Sequence, residues 1–105
     1  MAIPVTVLAP IKLAADKTEA ELLAASERFQ NEFVAHQPGV IRRELIRKGD
    51  GHYLDIVQFR SAEDAEDIIQ KEKESAVCHA FFVVMDLTDM DDSNIEFYPS
   101  LATYP

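Results

Sequence analysis

The chain has 105 residues, 48% apolar and 28% charged, proportions that describe one folded domain and exclude two domains, a disordered chain or a fibre. Ten basic residues against nineteen acidic ones give a formal charge of -9, a field that repels phosphate backbones and anionic headgroups, so no nucleic acid and no membrane is expected as a partner. A lone cysteine, Cys78, forms no internal disulfide, and no stretch approaches the roughly 18 apolar residues of a membrane span, so a cytoplasmic protein is expected.

Residues 2–13 are mostly apolar, but the stretch lacks the basic leader of a signal peptide and is interrupted by Pro4, Thr6, Pro10 and Lys12. Val5, Val7, Ala9, Ile11 and Leu13 recur at a period of two, which predicts a first strand. Thr18-Glu19-Ala20-Glu21 has the spacing of a capping box, in which hydroxyl and carboxylate satisfy free helix amides. Leu22, Ala25, Phe29, Phe33 and His36 then form one helical stripe, ended by Pro38-Gly39.

Residues 40–48 and 52–59 flank Gly49-Asp50-Gly51 and predict a β-hairpin. A second capping box, Ser61-Ala62-Glu63-Asp64, opens a helix through Ala65, Ile68, Ile69 and Glu72. Ser75 is placed to cap a short further helix, with Ala76, Ala80, Phe81, Val84 and Met85 on its apolar face. Residues 86–92 turn polar and irregular, residues 94–98 read as a last strand, and a tail carries Leu101 and Tyr104.

The order predicts a single α+β domain over residues 1–105, a ferredoxin-like βαββαβ chain with an antiparallel four-stranded sheet. Right-handed crossovers place the first and third strands in the centre and the helices on one face. The alternation puts Val40 and Ile46 on one side of the second strand and Ile41 and Leu45 on the other. In the third strand, Leu54 and Ile56 oppose Tyr53, Val57 and Phe59. An apolar outer face on so short a chain predicts a homodimer packed sheet to sheet, with the tail reaching the partner.

On these residues the chain resembles the dimeric α+β-barrel superfamily, and most closely its antibiotic-biosynthesis monooxygenase-like group. The likeness spans nearly the whole length. It rests on the element order, on His36-Gln37-Pro38-Gly39-Val40, on the passage from Val57-Gln58-Phe59 into Arg60-Ser61-Ala62-Glu63-Asp64-Ala65, and on the segment from Ser75 ending in His79-Ala80-Phe81-Phe82. The resemblance implies a dimeric barrel and a cavity between sheet and helices. It also implies an activity among those of the superfamily, which include cofactor-independent oxygenases, haem-degrading enzymes, isomerases and decarboxylating enzymes. The haem-degrading set of asparagine on strand one and tryptophan on helix two is absent, since the chain has no tryptophan and Glu72 falls near that position.

Asp55 stands amid Tyr53, Leu54, Ile56 and Val57, where a carboxylate is costly to bury alone. If Lys48 pairs with His52, Asp55 lies opposite Leu45 and diagonal to Arg43 and Arg47, so an ion pair or a cavity carboxylate with a raised pKa is expected. His79 and Asp55 are the candidate bases, and Tyr53 or an arginine the group that orients a phenolate, so His79, Asp55 and Tyr53 form the expected catalytic set. His36, Arg43, Phe81 and Phe82 are the expected substrate contacts. Cys78 and His79, consecutive on a helix and about 100° apart, are not a nucleophile-base pair.

Asp86, Asp89, Asp91, Asp92 and Glu96 lack calcium-loop spacing, and no zinc, phosphate-loop or serine-hydrolase pattern is present, so no metal and no cofactor is expected. The expected function is a cofactor-independent, monooxygenase-like oxidoreductase acting on a small phenolic or quinol-type molecule. The alternatives are a non-catalytic dimer that binds a small apolar or aromatic molecule or answers stress, and an isomerase or decarboxylase on the same scaffold.

Overall fold

Local sequence signals account for where the elements begin. The computed structural model describes residues 3–87 and 95–104. It contains β1 (Val5–Lys12), α1 (Glu19–Glu32), β2 (Val40–Gly49), β3 (His52–Phe59), α2 (Ala62–Glu74), α3 (Ala76–Phe82) and β4 (Glu96–Pro99). Thr18, Ser61 and Ser75 each cap a helix, their hydroxyls accepting from the amides of Glu21, Asp64 and Cys78 at 3.2, 3.1 and 3.4 Å. Each such cap contributes about 1 kcal/mol.

The strands form one antiparallel sheet in the order β2-β3-β1-β4, with β1 and β3 central, and the fold is ferredoxin-like α+β. Odd-numbered residues of β1 and β3 face the helices. There Val5, Val7, Ile11, Tyr53 and Phe59 meet Leu22 and Phe29 from α1, Ala65 and Ile68 from α2, and Cys78 and Phe81 from α3. Lys12 and Asp86 pair at 3.4 Å, and Leu13 bridges to Met85, tying the end of β1 to the chain after α3.

The hairpin turns on Gly51, whose φ of 72° is left-handed. Leu45 lies opposite Asp55, the register that the turn implies, although a bulge between Arg47 and Gly49 sets Gly49, not Lys48, against His52. A second irregularity, between Val40 and Arg42, leaves Ile41 as an extra residue that is 51% exposed. It corrects the simple alternation: Val40 turns to the helix side with Arg43, and no longer shares a face with Ile46.

Helix α1 is shorter than its stripe suggests. It ends at Glu32, and Phe33 leaves helical geometry at φ -129°, ψ -63° before a 3₁₀ turn over Val34–His36. Gly39 follows, where a side chain would sit 2.9 Å from the Asp64 Cβ, too close for any residue but glycine. The last strand spans Glu96–Pro99 instead of residues 94–98. Residue 94, and the irregular stretch 88–92 with its acidic positions Asp89, Asp91 and Asp92, lie outside the described residues.

The outer face of the sheet carries Leu8, Leu54, Ile56 and an exposed Ile46 among Thr6, Arg42 and Glu44. The C-terminal tail crosses it: Ser100 donates to the Pro4 carbonyl at 2.7 Å, and Gln58 Nε2 donates to Thr103 Oγ1 at 3.0 Å. Leu101 and Tyr104 stay 93% and 83% exposed. Among the described residues no helix is long and apolar enough to cross a membrane.

Candidate active site

Between the sheet and the three helices lies a cavity of about 310 Å³, at the lower end of the volumes that hold small molecules. Val7 and Ile11 of β1, Phe59 of β3 and Ile68 of α2 supply apolar wall, and Phe29, Phe81 and Phe82 line the space without filling it. Among the described residues three charged side chains also face it: Arg43, Asp55 and Glu72.

The hairpin register places Arg43 diagonally across from Asp55 on the helix side. Arg43 Nε reaches both carboxylate oxygens, at 3.0 and 3.1 Å, and the two side chains are only 6% and 8% exposed. The rest of the guanidinium is held as firmly. One terminal nitrogen donates to Ser26 Oγ at 2.8 Å and the other to the Ser26 carbonyl at 3.3 Å. Its carbon stands 4.9 Å from the Phe29 ring centre and 5.4 Å from that of Phe81, rings that stack on each other at 4.7 Å. A cation desolvated among aromatic faces gains from their negative quadrupoles. Burial pushes the Asp55 carboxyl above its ordinary value, and the charge and hydrogen bonds of Arg43 oppose that push.

Glu72 enters from α2, one turn beyond Ile68. Burial and the nearby Asp55 charge raise its carboxyl to about 7, with Arg43 pulling the other way. This group was not among the residues singled out for chemistry, yet a signal existed: Ala65, Ile68 and Glu72 fall on one helical stripe, so the carboxylate occupies a position that its neighbours mark as inward.

Of the residues that sequence suggested, Asp55, Arg43, Phe81 and Phe82 meet at the cavity. Tyr53 does not. It is buried further along β3, its hydroxyl beside Glu19, and Glu19 in turn binds Arg47 at 2.6 and 2.7 Å. His79 is exposed, its ring nitrogen 2.7 Å from the Lys73 carbonyl. On α3, Cys78 and Phe81 point inward, and a residue next to Cys78 is turned about 100° away. His36 is exposed because the chain leaves the helix at Phe33, before the stripe reaches it. Among the described residues no cluster of three histidine, cysteine, aspartate or glutamate side chains is placed to hold a metal ion.

No family model matches the sequence, and no curated protein matches it either. Solved structures do match. SnoaB, a cofactor-independent oxygenase from Streptomyces nogalater, superposes with a TM-score of 0.74 at 19% identity, covering 99% of both chains. A proposed antibiotic biosynthesis monooxygenase from Caulobacter crescentus gives 0.74 at 18% identity over 96% of this chain and 92% of its own. Another from Bordetella bronchiseptica gives 0.74 at 13% identity over 95% and 99%. The chain therefore shares its fold with these proteins.

Proposed function

We propose that this protein is a monooxygenase-like oxidoreductase that oxidises a small phenolic or quinol-type substrate in its cavity without a bound cofactor. The observation that carries this reading is an apolar cavity, sized for a small aromatic molecule, with the buried Arg43–Asp55 pair and a second carboxylate on its wall. The fold shared with a cofactor-independent oxygenase supports it.

A phenol with an open ring carbon needs only acid-base help to react with oxygen. A cavity carboxylate takes the phenolic proton, and the positive field of Arg43 steadies the phenolate. The phenolate passes one electron to O₂, and the radical pair joins at the ring carbon as a peroxide that recovers the proton from the carboxylic acid. Removal of the ring C–H proton then forms the second carbonyl and breaks the O–O bond. Hydroxide leaves and, with that proton, becomes water. The balance is phenol plus O₂ to quinone plus water. Arg43, Asp55, Phe81 and Phe82 contact the substrate in this scheme, whereas His79, Tyr53 and His36 stand away from it.

Oxygen-electrode measurements with naphthols and hydroquinones test the reading. The protein is expected to accelerate uptake by about 10²-fold or more, with naphthol yielding quinone and no hydrogen peroxide, and His79→Ala is expected to keep that rate. Uptake at the buffer rate across the panel would exclude it. Products formed without oxygen consumption would instead favour an isomerase or decarboxylase.

We also infer that two copies pack outer face to outer face. That face bears Ile46 and Tyr98 in the open, apolar surface that a second copy would cover. Light scattering at micromolar concentration is expected to give twice the chain mass of 11.8 kDa, and a compact monomer would contradict it.

A further inference from the structure

The three charged groups that the described residues bring to the cavity wall are unequally satisfied. Asp55 has both oxygens on Arg43 Nε, and Arg43 is fixed by Ser26 and by the faces of Phe29 and Phe81. That pair is a closed unit with no net charge. Glu72 is left over. Among the described residues nothing donates a hydrogen bond to its carboxylate, although it lines the same largely apolar space as that pair. A partly desolvated acceptor without a donor is completed by a ligand that brings one.

We propose that Glu72 receives the hydroxyl hydrogen of the bound molecule, and that the cavity consequently takes aromatic hydroxyl compounds in their neutral form and rejects their carboxylate analogues. The inference rests on the reading that a small phenol occupies this site, and it names the residue and the charge class that the reading leaves open. Among the described residues the charged and titratable groups facing Glu72 are Arg43 from β2, Asp55 from β3 and the Cys78 thiol from α3. An anionic ligand adds a third negative charge where one cation already serves two carboxylates, and in a poorly solvated cavity that repulsion is large. A phenol adds no charge, donates to the Glu72 carboxylate, and on proton transfer leaves its anion within the field of Arg43.

The test is binding under nitrogen, where turnover plays no part. Titration calorimetry of 1-naphthol, 1-methoxynaphthalene and 1-naphthoate is run at about pH 5.5 and about pH 8, either side of the Glu72 titration. The proteins are the full chain and its Glu72→Gln and Glu72→Leu variants. At the higher pH the unaltered protein is expected to bind naphthol about tenfold or more tightly than the methyl ether, a gap that Glu72→Leu closes. Naphthoate, ionised at both values, is expected to bind about tenfold more weakly at the higher pH, and Glu72→Gln removes that dependence. Equal affinities for naphthol and naphthoate at the higher pH, a naphthol preference that survives Glu72→Leu, or no naphthol binding at all would each overturn the proposal. The expected binding pattern without oxygen uptake in air would instead sink the oxygenase reading and leave the ligand class standing.

Discussion

Arg43→Met is expected to lower the unfolding free energy by about 3–5 kcal/mol, because it strands the Asp55 carboxylate in the core. The stranded acid escapes part of that penalty by taking a proton, which at neutral pH costs roughly 4 kcal/mol against an ordinary aspartate. The two routes agree in size. For a domain of this length the loss corresponds to a fall in melting temperature on the order of 15–25 °C. Asp55→Leu alone is also expected to be severe, since it leaves the guanidinium buried without its anion, although Ser26 and the two rings still hold it. The informative comparison is the double variant Arg43→Met with Asp55→Leu. An apolar pair of similar volume is expected to recover most of the loss, because removing both charges also removes their desolvation cost. Single variants that melt within a few degrees of the unaltered protein would mean that the pair contributes nothing to the fold.

Glu72→Gln is expected to act in the opposite direction and to depend on pH. The Glu72 carboxyl titrates at about 7 in the folded chain, against an ordinary value of 4.5. Between those values the folded state keeps a proton that the unfolded state has released, so stability falls as pH rises through the window. The contribution is about 3 kcal/mol, fully present below the unfolded value of 4.5 and lost as pH rises through the folded value of about 7. The Asp55 shift has the same sign, so both cavity acids favour the folded state at mildly acidic pH. Denaturant titrations across the window are expected to show the unaltered protein gaining stability on acidification and Glu72→Gln staying nearly flat, the variant being the more stable above neutrality. Parallel curves for the two proteins would show that Glu72 is solvated and that the cavity wall is not as drawn.

Much of this architecture was readable from neighbouring residues. The caps at Thr18, Ser61 and Ser75 lie three residues from the amides they serve, and hairpin register propagates from a short glycine turn, so Asp55 fell opposite Leu45 as anticipated. The diagonal Arg43–Asp55 contact follows from that register. Reading failed where one local step altered a phase. Phe33 departs from the helix and carries His36 off the stripe, and the extra residue at Ile41 turns Val40 to the other side of its strand.

The amino-acid sequence by itself determined the order of elements, the starts of the helices, the central pair of strands and the presence of a carboxylate inside the sheet, because each depends on periodicity or on partners a few residues away. Only the tertiary structure decided which ionisable groups share the cavity. The rotation of α3 is set by Phe81 stacking on Phe29, which turns His79 outward, and the packing of α2 over the sheet brings Glu72 into the field of Asp55 and Arg43. Electrostatic coupling in a desolvated space depends on distances between segments remote along the chain, and no local pattern encodes those distances.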